Sequence, residues 1–488
     1  MRLLAFAVLA CVALAAAAAP GADEAPAVVR LGEVNAALRG GDETALRAYV
    51  EASFHETMRN PGPADPGILP FLLQLMQRHR GFDVLRTIAG SPEAATAVVR
   101  SVAQPSRIFR LNLAVEPDPP HRVAGLFLLP AAPEDLPERA PVLTAEQAIE
   151  AYGKALDRLV AEDGFSGVVL LARGSEVVLL RAAGEADRAH CVPNTADTVF
   201  GLASMNKMFT AVAIAKLVEQ GRLAFGDPVG RHLKGWLPDD LAGRITVDQL
   251  LTHTSGLGDY LGRIETDPKL RAARSLSAYR DLVRESTVEG KAEDGLRYSN
   301  TGYVVLGALI EAVSGRDYFD FVRSEIFFHA GMMRTDSWCR DEILENRAIG
   351  YIPPDESEAL GLGRGWRTNQ RLEGARGTSA GGGMSTAVDL FRFARALVEG
   401  RLVKRETLDT LLAPRVPFLP GSRYAYGFVE GVNGGVRSFG HSGGAPGMNG
   451  DLRIFPDSGY VVAALANTGS GASQVVSWVS DRLPAPPR

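Results

Sequence analysis

The sequence predicts an α+β fold of the broad α/β class: a small α+β module followed by a large, mostly antiparallel sheet covered by helices. Three observations point there. Helical patterning precedes strand patterning over residues 30–128, which suits a self-contained α+β layer. A proline-rich break at 129–143 carries Pro130, Pro133, Pro137 and Pro141, and reads as a linker. Strand-like segments then lie at both ends of residues 144–485, with helical patterning between them, so one sheet drawing on both ends is expected.

Within the first module, Asp42 is placed to cap a helix bearing Leu46, Tyr49, Val50 and Phe54. A second helix is expected over Leu69–His79. Strands are expected over Phe82–Ile88, Ala94–Val102, Arg107–Val115 and Val123–Leu129. In the third, Phe109, Leu111, Leu113 and Val115 alternate with polar neighbours, the period of a half-buried strand. This pattern resembles a nuclear-transport-factor-2-like cone domain. The module shows no catalytic constellation; His55 and His79 read as surface or packing residues.

In the large module, Thr144 and Gln147 form a capping-box pair at a helix start. Gly167–Ala172 and Glu176–Ala182 read as a hairpin around Gly174. Strands are expected at Ala425–Glu430, Val436–Phe439, Asp451–Phe455 and Tyr460–Ala466, and a last helix from about Ala472.

Composition narrows the function classes. The 488 residues are 46% hydrophobic and 22% charged with a formal net charge of −5, and no basic stripe occurs, which argues against a nucleic-acid partner. Arg2 and the apolar run Leu3–Ala19, ending before Pro20-Gly21-Ala22, read as a signal peptide spanning residues 1–22. The protein is therefore expected to be exported, periplasmic or secreted, without stable membrane insertion. Cys191 and Cys339 remain after such a signal; an oxidising compartment permits a disulfide between them, and two lone, buried thiols are the alternative.

Three short elements carry chemistry. Ser204-Met205-Asn206-Lys207 opens a helical stretch, where positions three apart share a face. A serine hydroxyl needs a base to become nucleophilic, and a lysine serves only if burial lowers its pKa. Tyr298-Ser299-Asn300 precedes the apolar helix Tyr303–Val313; a phenol can relay a proton and an amide can hold a carbonyl or the lysine. His441-Ser442-Gly443 follows a strand, and its glycine lets substrate approach the backbone. Each element alone is weak evidence, and a loop or packing role suits any one of them.

Together and in this order they resemble the serine β-lactamase, penicillin-binding-protein and esterase superfamily, nearest its class C-like branch. Leu250-Leu251-Thr252-His253-Thr254-Ser255-Gly256-Leu257 and Gly381–Thr386 add to the resemblance, which covers about residues 145–485. It implies an acyl-enzyme serine hydrolase without metal or organic cofactor, acting on a small-molecule or peptide substrate. Catalytic roles would fall to Ser204, Lys207 and Tyr298; substrate binding to Asn300, His441, Gly443 and Gly444, with the N–H groups of Ser204 and Gly444 as oxyanion donors. His441 stands where class C β-lactamases carry a lysine. A neutral imidazole gives no fixed charge for a substrate carboxylate, which favours an esterase or peptidase over a true β-lactamase.

Two rivals are weighed here. Gly440-His441-Ser442-Gly443-Gly444 also fits a nucleophile elbow with Ser442 as nucleophile, but that triad needs a later histidine and none follows His441. A peptidoglycan- or peptide-binding module without turnover is the second; intact motifs argue against it. His253 reads as a brace for a loop beside the site rather than as the base.

Overall fold

The computed structural model describes residues 25–59, 67–103, 108–131, 144–161, 164–264, 267–286, 295–418, 422–433, 436–469, 471–480 and 482. The expected signal segment, and all of the expected linker except residues 129–131, lie outside these. The chain divides into two compact units, Met1–Pro137 and Glu138–Arg488.

In the first unit, helices Pro26–Gly40, Glu43–Ser53 and Leu69–His79 cover one face of a four-stranded antiparallel meander. Asp42 caps the second helix, its carboxylate accepting the Thr44 and Ala45 N–H groups. Leu31, Val34, Leu46, Val50 and Leu72 pack on the inward strand positions Ala97, Val99, Leu111 and Leu113, as the period-two pattern requires. His79 is buried among Phe82 and Phe109, with Nδ1 3.0 Å from Ser101 Oγ.

The second unit is built on an eight-stranded sheet. Its spatial order is 416–417, 422–424, 429–433, 436–445, 448–455, 460–466, 167–173 and 176–183, every neighbouring pair antiparallel. The expected union of both ends occurs where Tyr460–Ala466 pairs with Gly167–Arg173. All seven residues of Tyr460–Ala466 are buried, the mark of a central strand covered on both faces. The hairpin turns at Gly174, whose φ of +59° is glycine's region. Thr144 and Gln147 exchange both bonds of the capping box.

Two strand expectations need correction. Residues 425–428 are a turn closed by Ala425 N–H donating to Phe428 O, and the strand begins at Val429. Gly427, at φ +71°, explains this: a Cβ there would stand 2.6 Å from Ala211 Cβ and 2.7 Å from Lys207 O. The apolar run is buried by the nucleophile-bearing helix rather than by pairing. Val436–Phe439 proves too short: the strand runs to Ala445, so His441-Ser442-Gly443 lies within it rather than after it. That placement also excludes a strand–turn–helix elbow at Ser442. Cys191 and Cys339 are both free thiols, so of the two readings the separate thiols hold, with the correction that only Cys339 is buried and Cys191 is exposed.

Candidate active site

The strand Phe200–Ala203 ends at an alanine with φ +45°, a conformation that costs a non-glycine residue about 1–3 kcal/mol. The kink swings Ser204 out of the strand and into the turn that leads to the helix Asn206–Glu219. Ser204 thus sits in the turn before the helix, not within it. It still meets Lys207, because Lys207 N–H donates to Ser204 O at 3.1 Å. Of the helix's 14 residues, 11 are buried, with Phe209 set edge-on to Phe327 and Phe393. A helix apolar on all sides is a core helix, and it fixes its first turn rigidly.

Lys207 is fully buried. Its Nζ lies 3.1 Å from Ser204 Oγ, 2.7 Å from Asn300 Oδ1 and 2.7 Å from the Ala380 carbonyl. Burial lowers its pKa from the ordinary lysine range to about 7, against the opposing pull of Asp259. A neutral amine has two N–H donors and one lone pair. The amide oxygen and the carbonyl can only accept, so they take both protons. The lone pair is left facing Ser204, whose hydroxyl then donates to it. In its neutral form, which burial favours, the amine is thus oriented with its lone pair at the one atom that needs a base.

Tyr298 occupies the loop before the helix Asn300–Ser314, with its hydroxyl hydrogen-bonded to Ser204 and Lys207 Nζ 4.8 Å from its ring centre. Burial raises its pKa, keeping it a phenol. Ser299 caps the helix: its Oγ accepts Gly302 N–H at 3.0 Å and donates to Gly258 O at 2.8 Å. Asn300 is the first helical residue rather than part of the preceding loop.

His253 braces this loop, as expected. Its Nδ1 accepts Ser299 N–H at 3.1 Å, and its carbonyl accepts Arg297 N–H at 2.8 Å. Since Nδ1 accepts, Nε2 carries the proton and donates to Tyr424 Oη at 3.1 Å. The Tyr424 hydroxyl donates onward to His441 Nε2 at 3.0 Å, and His441 Nδ1–H donates to Ser442 O. Each group in the chain His253–Tyr424–His441 has one assigned direction. Burial pushes the His441 pKa down to about 3 and holds His253 well below the usual range, so both rings are neutral. His441 thus provides no fixed cation.

Gly443 and Gly444 lie where the strand Val436–Ala445 outruns its neighbour: pairing with Val429–Asn433 ends at Gly440, while pairing with Met448–Phe455 continues to Ala445. Gly443 is pressed against the nucleophile's backbone. A Cβ there would stand 2.1 Å from Leu202 O and 3.0 Å from Ser204 N. Gly443→Ala must displace one of these strands. A misplacement of about 1 Å costs on the order of 10²-fold in rate, so we expect at least that loss of kcat/KM, measured alongside a thermal melt showing a folded protein.

Of the residues named from sequence, Ser204, Lys207, Tyr298 and Asn300 meet around the Lys207 amine, Gly443 lies against the Ser204 backbone with Gly444 next to it in the strand, and His441 is linked through Tyr424 to His253. Sequence reasoning missed three contributors: Asp259, which holds Asn300; Tyr424, which joins the two histidines; and the Ala380 carbonyl, which orients Lys207. Asp259 stands two residues beyond the Leu250–Leu257 stretch, the one signal that could have drawn attention to it.

The family model described as Beta-lactamase matches residues 152–483. Penicillin-binding protein 4* of Bacillus subtilis is 31% identical over 315 residues, covering 62% of this chain and 68% of that one. Esterase EstB of Burkholderia gladioli is 43% identical over 97 residues, 19% of this chain and 25% of its own. Among solved structures, a penicillin-binding protein from Bacillus halodurans superposes with a TM-score of 0.60 at 30% identity, covering 66% of this chain and 98% of that one. The D-amino acid amidase of Ochrobactrum anthropi, in complex with L-phenylalanine, gives 0.57 at 26% identity, covering 69% and 97%. With a family match over residues 152–483 and Ser204 beside a fully buried Lys207, this chain belongs to the beta-lactamase family and is a serine hydrolase of it.

Proposed function

We propose that the chain is an exported hydrolase that forms an acyl-enzyme on Ser204, with an ester, an amide or a D-amino-acid peptide as acyl donor. The observation that carries this is a fully buried Lys207 whose Nζ lies 3.1 Å from Ser204 Oγ and 2.7 Å from two oxygens that can only accept, so that the neutral amine turns its lone pair to Ser204. Lys207 takes the Ser204 proton as Oγ attacks the carbonyl carbon. The N–H groups of Ser204 and Gly444 receive the developing oxyanion. Tyr298, still a phenol, gives its proton to the leaving oxygen or nitrogen and recovers one from Lys207. Water then attacks the acyl carbonyl, its proton passing to the Tyr298–Lys207 pair, and Ser204 is released with the acid product. Asn300 and His441 border the substrate.

The neutral His441 ring supports an acyl donor without a carboxylate to be anchored there. The Leu3–Ala19 run supports export. A panel of nitrocefin, p-nitrophenyl esters and D-aminoacyl anilides tests the substrate class. Turnover of the esters or anilides with slow nitrocefin hydrolysis is the expected result; fast nitrocefin hydrolysis overturns the preference and makes the protein a β-lactamase. No labelling of the folded protein by a fluorophosphonate probe would leave a binding module instead.

A further inference from the structure

Asp259 belongs to none of the three motifs, yet the orientation of Asn300 depends on it. One carboxylate oxygen accepts the Asn300 backbone N–H at 3.0 Å and its Nδ2–H at 2.7 Å; the other accepts Leu261 N–H at 2.9 Å. A carboxylate only accepts, so the amide nitrogen of Asn300 must face Asp259 and Oδ1 must face Lys207. We propose that Asp259 is a positioning residue for acylation: by holding the Asn300 amide in one orientation, it keeps the lone pair of Lys207 on Ser204.

The opposite orientation shows what is at stake. With the amide turned over, Nδ2–H would point at Nζ. The amine would meet it with its lone pair and turn an N–H toward Ser204, where a donor cannot accept the hydroxyl proton. Asp259 touches no reacting atom in this scheme; it acts through Asn300 and then Lys207. Its charge adds a second, separable effect, because a carboxylate close to the amine raises the amine's basicity. The other ionisable groups around Lys207 are Tyr298, Tyr303, His253 and His441, all held neutral by burial. Removing Asp259 therefore lowers the pKa of Lys207 and moves the acid limb of the rate to lower pH.

The inference rests on the acyl-enzyme reading, and the experiment separates the two. Asp259 is exposed, so its replacement leaves the apolar core intact. Full-length wild type, Asp259→Asn, Asp259→Ala and Ser204→Ala are compared by fluorophosphonate labelling, by thermal melts, and by kcat/KM for p-nitrophenyl acetate across about pH 5 to 9. We expect Asp259→Ala to lose about 10- to 100-fold in kcat, with KM little changed, on the scale of a misplaced catalytic group. Asp259→Asn, which keeps one acceptor oxygen, should lose less. In both, the acid limb should move down. Folded variants with the wild-type rate and limb overturn the inference, as does a rate loss with the limb unmoved, which would mark a merely structural role. Absence of labelling and turnover in the wild type overturns the acyl-enzyme reading itself, and this inference with it.

Discussion

Lys207→Arg should be inactive although it keeps a positive side chain. A guanidinium has no usable lone pair, stays protonated above pH 12 and cannot take a proton from Ser204. The pocket is also closed to it: Lys207 is fully buried, with its head group already within 2.7 Å of two oxygens. Lys207→Ala removes the base without the clash. We expect each to reduce acylation by on the order of 10²–10⁴-fold, the typical worth of a positioned base, and Ser204→Ala to abolish covalent labelling. Stopped-flow measurement of p-nitrophenol release reads the acylation step directly. A Lys207→Arg enzyme with near-wild-type acylation would mean that Ser204 is activated by some other group.

The pH dependence is the second large effect, and its sign follows from which form of the amine works. Lys207 must be neutral to accept the proton, and its pKa is about 7. Above that value the rate should be level; below it, kcat/KM should fall tenfold for each pH unit as the amine fills with protons. A limb in this region would ordinarily be ascribed to a histidine. Here the assignment differs, because His441 stays neutral down to about pH 3 and His253 is also held low. His441→Gln should therefore leave the acid limb in place, whatever it does to the plateau. No alkaline limb should appear by about pH 10, the ordinary tyrosine value, because burial raises Tyr298 above it. A limb that vanishes with His441 would contradict the assignment.

The parts of this site that were legible from sequence are those encoded at short range. Ser204 and Lys207 are three residues apart, so one turn of backbone brings them together, and Tyr298 and Asn300 are two apart at one loop–helix junction. The sheet was legible for a similar reason: alternation along Ile108–Val115 and the all-apolar run Tyr460–Ala466 state their burial locally. What was not legible is long-range. Asp259 lies 41 residues from Asn300, and Tyr424 lies 171 residues from His253. Their side chains carry meaning only once the fold has placed a partner opposite. The strand errors have the same origin. Phe428 is apolar because it packs in the core around the nucleophile-bearing helix, not because it pairs. Gly443 and Gly444 extend a strand despite poor propensity, because pairing with Gly450 and Asn449 outweighs it.

Ala203 shows strain placed where it is used. Its left-handed backbone aims Ser204 at Lys207. Around it, the Phe200–Ala203 strand pairs with Gly383–Ser385, and Gly382 N–H donates to Ala203 O at 3.2 Å. Those contacts hold a conformation the residue would not adopt alone.

Turnover by this chain depends on a covalent bond forming at one oxygen atom, Ser204 Oγ. Mass spectrometry of proteolytic fragments after treatment with a fluorophosphonate, at pH 8 and at pH 5, tests it most directly. We expect a single adduct on Ser204, formed rapidly at pH 8 and far more slowly at pH 5. An adduct on Ser442 or any other residue, or equal rates at the two pH values, would contradict it.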